Sequence, residues 1–210
     1  MSKSRVIIYT YNTHKKRLSM IDELLALKLM PVILDDCSFD DVKEVLRIYL
    51  DKIDILTFDE HKGFDACILQ GIRHVIRGTD AISVIICDAR YDMPLYIRQL
   101  TSIPKDEYTI TVVYNISQKY TFFALCALYI LHVFEYVFHN AHVKSPTSHY
   151  CLLNLQALRK TFENPFFDHT FSLYHLYRSA SSYREPSIQW IPIDEPSIKK
   201  NLFDVIILLR

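Results

Sequence analysis

The first half of the chain alternates short apolar runs with stretches whose apolar residues recur at helical spacing. The apolar runs predict strands at residues 5–9, 31–34, 53–58, 81–87 and 108–114. The helical spacing predicts helices at residues 14–28, 40–50, 64–77 and 94–101. Strands that alternate with helices of this length form right-handed βαβ units. The pattern therefore predicts an α/β fold with a mainly parallel sheet.

The second half of the chain has a different pattern. Residues 119–142 form a long, aromatic-rich stretch with helical spacing, and a second helix is predicted at residues 152–161. Residues 188–193 resemble a strand. No low-complexity linker separates the halves. We therefore predict two parts of one domain, residues 1–115 and residues 116–210.

Carboxylates follow two of the predicted strands. Asp35 and Asp36 follow the second strand, and Asp88 follows the fourth. Because ligands in open α/β sheets bind beyond the carboxyl ends of the strands, these residues indicate a nucleotide and metal site. A second interpretation needs no ligand, since Ser38 followed by Asp41 fits a helix capping box worth about 0.5–2 kcal/mol. Both interpretations can hold together.

Charge and cysteine content narrow the choice of partners and compartment. Lys plus Arg and Asp plus Glu number 24 each, so the net charge is zero. Without a basic field, nucleic acid is a poor partner. The five cysteines are odd in number and lack C-x-x-C spacing, which favours reduced thiols in a cytosolic setting. The N-terminus shows no secretory signal, so a cytoplasmic location is expected.

Four short motifs occur in order between residues 5 and 114. They are the segment 6–12, the D-D-C-S-F-D of 35–40, the H-K-G of 61–63 with Ala66 and Gly71 after it, and the D-A-R of 88–90 with Pro94. Their order and spacing resemble the P-T-Y-N-E, D-D-G-S-x-D, N-x-G and D-A-D motifs of family 2 glycosyltransferases of the GT-A type. The resemblance implies a GT-A Rossmann-like, mainly parallel sheet flanked by helices, with a helical C-terminal part. It also implies that residues 1–115 bind a nucleotide sugar and residues 116–210 form the acceptor side.

The resemblance assigns a donor site to seven residues: Thr10, Tyr11, Asn12, Asp36, Lys62, Gly63 and Asp88. In it, Thr10, Tyr11 and Asp36 would hold the base, and Asp88 would hold the ribose or a metal. Carboxylates suit this task because they accept hydrogen bonds from ring N–H and hydroxyl groups.

The D-A-R segment departs from the family pattern, because Arg90 stands where the family has a second aspartate. The guanidinium could bind the diphosphate itself, since arginine forms bidentate contacts with phosphate oxygens. Alternatively, Asp88 and Asp92 together would hold Mg²⁺ or Mn²⁺. In both cases Asp88, Arg90 and Asp92 are the predicted catalytic group. The third alternative is an Arg90 pair with Asp88 or Asp92 in a protein that no longer catalyses.

The acceptor side resembles the polyprenyl-phosphate branch, which includes dolichyl-phosphate mannose synthase. Residues 148–154 resemble its link into a helix, and residues 196–200 resemble its R-x-x-G-x-S-K segment without the arginine and glycine. Ser197 and Lys199 are thereby the predicted acceptor residues. No Glu-Asp pair lies between residues 114 and 164, which favours an anionic lipid phosphate that needs no base. Glu163 and Asp168 are the base candidates for a sugar hydroxyl.

Two function classes remain open from the sequence. The first is an inverting glycosyltransferase of polysaccharide or glycolipid biosynthesis, with a nucleotide-sugar donor and a polyprenyl phosphate or glycan acceptor. The second is a non-catalytic GT-A-fold protein that binds a sugar nucleotide or a protein partner. Three departures from the family pattern favour the second class: Arg90, the missing arginine and glycine of the R-x-x-G-x-S-K segment, and Cys37 at the family's glycine position.

Residues 122–138 are nearly all apolar or aromatic, interrupted by His132 and Glu135. The stretch is too short for a membrane span of about 20 residues. One interpretation is a helix that lies on a membrane surface or against a partner. The other is a helix buried in the core or in a homodimer.

Overall fold

The structure describes most of the first 89 residues and several later segments. The computed structural model covers residues 4–13, 18–89, 110–112, 114–115, 151–163, 183–184 and 187–188, with single positions at 97, 100, 126, 129, 130, 133 and 176. The helices are α1 (Met20–Ala26), α2 (Asp40–Arg47), α3 (Phe64–Gly78) and α4 (Leu155–Glu163). The strands are β1 (Ser4–Thr10), β2 (Pro31–Asp35), β3 (Asp54–Thr57), β4 (Ser83–Asp88), β5 (Ile110–Val112), β6 (Tyr114–Asn115), β7 (Cys151–Asn154), β8 (Tyr183–Arg184) and β9 (Ser187–Ile188).

Within the described residues, seven strands form one sheet in the order β3-β2-β1-β4-β7-β5-β8. The pairs β1–β2, β1–β4, β2–β3 and β5–β8 are parallel, and β7 runs antiparallel to both of its neighbours. Strands β6 and β9 pair separately. The mixed, mostly parallel sheet agrees with the predicted α/β class. Both predicted parts of the chain contribute strands to it, and their division into donor and acceptor sides stays a prediction.

The central strands β1, β2 and β4 are buried on both faces of the sheet. Successive residues of a strand point to opposite sides, so each strand contributes to two apolar layers. Val6 and Ile8 pack with side chains of α1 and α2, whereas Ile7 and Tyr9 pack with side chains of α3 and α4. We call these sides the α1/α2 face and the α3/α4 face. The continuous apolar runs of the sequence follow from this double burial.

Most predicted elements of residues 5–88 are confirmed with shifts of at most three residues at their ends. The helix predicted at 14–28 is confirmed only over part of its length, since α1 is Met20–Ala26 and residues 14–17 lie outside the described residues. In the second half of the chain, strand β7 differs from the prediction. The sequence predicts a helix that starts at residue 152. That prediction is wrong for residues 152–154, since Leu152 and Leu153 pair with both β4 and β5. A short apolar run does not distinguish a buried strand from a buried helix. Helix α4 begins at Leu155, where Asn154 Oδ1 accepts N–H bonds from Gln156 and Ala157 at 3.0 and 3.2 Å.

Several predictions fall outside the described residues. These include most of the 94–101 and 119–142 helices, all but the first residue of the 188–193 strand and the acceptor segment 196–200. At the four described positions of the aromatic stretch, Cys126, Tyr129, Ile130 and Val133, the backbone is helical and the side chains are exposed. A core location is therefore wrong for those positions. None of the helices within the described ranges is long and apolar enough to cross a membrane.

Helix α3 packs against the sheet at Gly71 with little room for a side chain. A Cβ added there would lie 2.9 Å from Leu34 Cδ1 and 3.2 Å from Ile7 Cγ2. We expect Gly71→Ala to be about 1–3 kcal/mol less stable to unfolding than Gly78→Ala, because both variants gain the helix propensity of alanine and only the methyl at position 71 overpacks a contact. Gly78→Ala is the matched control, since its Cβ would meet nothing within 4 Å. Urea unfolding of both variants tests this, and equal stabilities would contradict a close-approach role for Gly71.

Candidate functional site

Three strand ends meet at one edge of the sheet. In the parallel register Tyr9 lies beside Asp88 and Thr10 lies beside Asp35, so the carboxyl ends of β1, β2 and β4 are adjacent. Alternation along β4 places Asp88 on the α3/α4 face, where Tyr9 also lies. Asp36, the residue after β2, contacts Tyr9 on that same face. Tertiary pairing thus brings together the two carboxylates that the sequence assigns to a donor.

The carboxylate of Asp36 accepts hydrogen bonds from several protein groups. The Lys62 backbone N–H donates to Oδ1 at 2.7 Å. The Gly63 backbone N–H and the Tyr9 hydroxyl donate to Oδ2 at 2.9 and 2.8 Å. His61 Nδ1 lies 2.7 Å from the same Oδ2. The fully buried Asp36 therefore connects β1, β2 and the segment before α3.

These contacts keep Asp36 ionised. Burial alone would raise the pKa of its carboxyl, but the hydrogen bonds from the Lys62 backbone, the Tyr9 hydroxyl, the Cys67 thiol and the Gly63 backbone outweigh burial and lower the pKa. The site consequently contains a buried negative charge at neutral pH. Hydrogen-bond donors of the protein stabilise this charge, and the His61 ring lies beside it.

Tyr9 supports this carboxylate and is absent from the residues that the sequence assigns to the site. Burial, the hydrogen bond to Asp36 and the charges of Asp36 and Asp88 raise the pKa of its phenol, so the hydroxyl remains a donor. Its ring packs edge-on against Phe64, with centroids 5.1 Å apart. Alternation along β1 is the signal that could have identified it, because Tyr9 shares a face with Asp88.

Lys62 and Gly63 contribute to the site through their main chain. Gly63 precedes α3 with φ at +84°, a conformation that costs a residue with a side chain about 1–2 kcal/mol. That turn directs two successive N–H groups at Asp36. The Lys62 ammonium lies 5.3 Å from the centre of the Phe58 ring. The backbone N–H groups of Lys62 and Gly63 thus hold the Asp36 carboxylate against the start of α3.

His61 and Tyr11 form the exposed side of the site. Their rings stack with centroids 4.1 Å apart and an interplanar angle of 23°. The same imidazole contacts Asp36, while half of the His61 side chain stays exposed. The sequence places His61 in the H-K-G motif but assigns it no role. Only the fold brings it to Tyr11, which lies 50 residues earlier.

Thr10 and Asn12 occupy different positions from Asp36. The side chain of Thr10 is buried on the α1/α2 face, and its Oγ1, like Asp35 Oδ2, has no hydrogen-bond partner among the described residues. Asn12 links the end of β1 to the start of α2, since its Oδ1 accepts the Phe39 N–H at 2.9 Å and its N–H donates to Ser38 Oγ at 3.0 Å. Their assignment to donor binding stays a prediction.

The predicted capping box at Ser38 is wrong. Phe39 is the N-cap of α2, and no side chain caps that end. The Ser38 hydroxyl instead accepts the Asn12 N–H, and the Ser38 N–H donates to Asp35 Oδ1 at 3.1 Å. The serine therefore stabilises the contact between the loops after β1 and β2. A sequence motif could not indicate a partner 26 residues away.

Cys37 has a backbone conformation that favours glycine. Its φ is +60°, and its thiol donates to the Asp59 carbonyl at 3.4 Å. We expect Cys37→Gly to have a free energy of unfolding about 1 kcal/mol higher than Cys37→Ala, because only glycine adopts this φ without a steric cost. Urea unfolding compares the two variants. At an extended position glycine would be the less stable by about 0.4–1 kcal/mol, so that order would contradict the expectation.

The described residues supply one candidate metal ligand, the buried Asp88. They contain no group of three His, Cys, Asp or Glu residues that could hold a metal. Arg90, Asp92 and Asp168 lie outside the described residues, as do Ser197 and Lys199. The side chain of Glu163, at the end of α4, is outside them too. A carboxylate such as Asp88 fits Mg²⁺ or Mn²⁺ as a hard oxygen ligand.

No protein-family model and no curated protein matches the sequence. Solved structures are nevertheless similar. Glucosyl-3-phosphoglycerate synthase from Mycobacterium tuberculosis, in complex with Mn²⁺, UDP-glucose and phosphoglyceric acid, has a TM-score of 0.60 at 12% identity, over 96% of this chain and 79% of that chain. The 4-diphosphocytidyl-2C-methyl-D-erythritol synthase from Anaerococcus prevotii has a TM-score of 0.58 at 8% identity, over 100% and 99%. S. aureus TarS 1-349 in complex with UDP has a TM-score of 0.55 at 12% identity, and this chain spans 64% of it.

These similarities show the fold. The chain has the GT-A Rossmann-like architecture of nucleotide-diphospho-sugar transferases, which confirms the predicted fold class. At 8–12% identity these neighbours do not identify a particular branch of glycosyltransferases. Activity, donor and acceptor must therefore be argued from the site itself.

Proposed function

We propose that this protein is a glycosyltransferase that moves a sugar from a nucleotide-sugar donor, with inversion, to a polyprenyl phosphate or a glycan. The observation that carries the proposal is the cluster at the carboxyl ends of β1, β2 and β4. There an ionised Asp36, a buried Asp88 and the partly exposed ring of Tyr11 meet at one sheet edge. Ligands of open α/β sheets bind at such an edge.

The donor nucleotide would use the aromatic and acidic groups of this edge. Tyr11 offers a ring for stacking, and base stacking on an aromatic side chain is worth about 1–3 kcal/mol. Asp36 offers carboxylate oxygens to N–H groups of the base, and Asp88 offers them to the ribose. M. tuberculosis glucosyl-3-phosphoglycerate synthase and S. aureus TarS, which share the fold, were solved with UDP-glucose and UDP respectively.

A divalent cation belongs to the proposal. Asp88 together with Asp92 would hold Mg²⁺ or Mn²⁺, and the cation would offset the negative charge of the diphosphate leaving group. The M. tuberculosis neighbour was solved in complex with Mn²⁺. Asp88 supports this assignment by its burial at a strand end and by the hard oxygens of its carboxylate.

The acceptor assignment depends on the sequence. A polyprenyl phosphate is already an anion, so its attack on the sugar needs no protein base. Ser197 and Lys199 would contact that phosphate, and the exposed apolar positions Tyr129, Ile130 and Val133 would suit the lipid. For a glycan acceptor, Glu163 or Asp168 would be the base.

A non-catalytic protein that binds a sugar nucleotide is the second candidate. Two observations favour it: Arg90 stands in the place of an acidic ligand, and protein donors already occupy the carboxylate of Asp36. Such a protein would bind the sugar nucleotide without transferring the sugar.

A binding scan with UDP-, GDP- and dTDP-sugars, with and without Mn²⁺, tests the proposal. We expect one nucleotide class to bind and Tyr11→Ala to weaken it about tenfold, because the base loses its stacking partner. A transfer assay with a polyprenyl phosphate or a glycan then follows. Binding without transfer would favour the non-catalytic candidate, and absence of all binding would reject both.

A further inference from the structure

His61 contacts the same two groups that the proposed function assigns to the nucleobase. Its imidazole stacks on Tyr11 with ring centroids 4.1 Å apart. Its Nδ1 lies 2.7 Å from Asp36 Oδ2. A planar nitrogen ring thus already combines a stacked face with an edge contact to a carboxylate, which is how a nucleobase would be held.

The oxygen that His61 contacts is crowded. Asp36 Oδ2 receives the Tyr9 hydroxyl at 2.8 Å and the Gly63 N–H at 2.9 Å in addition to the imidazole. A carboxylate oxygen has two lone pairs, and three groups already share them, so a further donor is strongly disfavoured at Oδ2. A base N–H can reach Oδ2 only if one of the three donors leaves.

His61 is the donor that can leave. Tyr9 is buried on the α3/α4 face, and the Gly63 N–H belongs to the backbone at the start of α3. The His61 side chain is 50% exposed, so it can rotate into solvent without unfolding an element. Tyr11 packs partly against the α3/α4 apolar cluster, which leaves its outer side for stacking.

We infer that the His61 imidazole occupies the nucleobase position in the ligand-free protein and leaves it when a nucleotide binds. This inference rests on the proposed function, because it requires a nucleotide at Tyr11 and Asp36. His61 thereby reduces the apparent affinity for nucleotide. The apparent affinity equals the intrinsic affinity multiplied by the fraction of molecules in which the imidazole is out of the site.

The strength of the His61 contacts with Tyr11 and Asp36 determines how much the nucleotide affinity is reduced. A partly exposed hydrogen bond and a partly exposed ring stack each contribute modestly to stability. A closed state of about nine molecules in ten is in keeping with contacts of that kind, and its removal would raise the apparent affinity about tenfold.

Calorimetric titration of the wild type, His61→Ala and His74→Ala with UDP, GDP and dTDP tests the inference. His74 is a matched control because it too pairs with an aspartate, Asp54 at 3.2 Å, on an exposed surface. We expect His61→Ala to bind its nucleotide about tenfold more tightly and His74→Ala to bind like the wild type. In NMR spectra, the wild-type His61 ring signals should also lose the Tyr11 ring-current shift when the nucleotide is added.

The outcomes separate the inference from the function on which it rests. Weaker or unchanged binding by His61→Ala, with clear binding by the wild type, would overturn the inference and leave the proposed function intact. Absence of binding by every protein to all three nucleotides would overturn both. Tighter binding by His61→Ala and by His74→Ala alike would also reject a specific role for His61.

Discussion

Asp36→Asn is expected to lower the free energy of unfolding by about 3 kcal/mol, because it breaks a buried, charged hydrogen-bond cluster. The carboxylate accepts from the backbone of Lys62 and Gly63 and from the Tyr9 hydroxyl. An amide in its place directs an NH₂ group at one of these donors. At least one buried donor is then left without an acceptor, which is costly in a site that excludes water. Urea unfolding at pH 7 measures the loss.

Asp22→Asn is the matched control. Asp22 accepts the Tyr49 hydroxyl at 3.0 Å, so the pair has the same chemistry as Tyr9 and Asp36. Asp22 is exposed, however, and water can replace its carboxylate. We expect a loss below about 1 kcal/mol. If both variants lost the same stability, burial of the Asp36 cluster would not be the cause.

The stability lost in Asp36→Asn depends on pH in a defined direction. The folded-state pKa of Asp36 lies below its ordinary value of 3.8. A carboxyl with a lowered pKa stabilises the fold above the unfolded pKa, and this stabilisation disappears as the pH falls through the folded pKa. The difference between wild type and Asp36→Asn should therefore be constant at neutral pH and shrink below about pH 4. A difference that grew in acid would contradict an ionised Asp36.

EDTA is expected to abolish nucleotide-diphosphate binding or turnover. Asp92→Asn is expected to lower the affinity for the nucleotide diphosphate by at least about a hundredfold. Removal of a group that only supports a metal ligand already lowers metal affinity or activity about 10–100-fold, so removal of a direct ligand should lower it at least as much. Asp92 lies two residues beyond Arg90, where it would complete a site with Asp88. Calorimetric titration with and without EDTA, and with Mn²⁺ added back, measures the effect.

Asp80→Asn serves as the control for Asp92→Asn, because Asp80 is an exposed acid that precedes β4 instead of following it. We expect it to bind like the wild type. If Arg90 has replaced the cation, affinity will persist in EDTA and fall in Arg90→Ala, since a bidentate guanidinium contact is lost. Chelator-insensitive turnover would therefore reject the Asp88 and Asp92 metal site.

The sequence by itself determined most of the helices and strands of residues 5–88 and the strand ends at which acidic residues lie. Strands buried on both faces require continuous apolar runs, and amphipathic helices require apolar residues at helical spacing. Both patterns involve residues close together in the sequence, so they can be recognised without the fold. Asp36 and Asp88 follow two such runs, which is why their place at strand ends could be predicted. Strand β7 was missed because a short buried run carries no period that separates it from a helix.

Only the tertiary structure decided what those acidic residues contact. The partners of Asp36 are a backbone turn about 26 residues later and a tyrosine 27 residues earlier, and no periodicity connects them. The same holds for the stack of His61 on Tyr11 and for the positive φ of Cys37. These features depend on how the loops after β1, β2 and β3 converge at one sheet edge. That convergence follows from strand order and register, which are set by the packing of the whole domain rather than by local sequence.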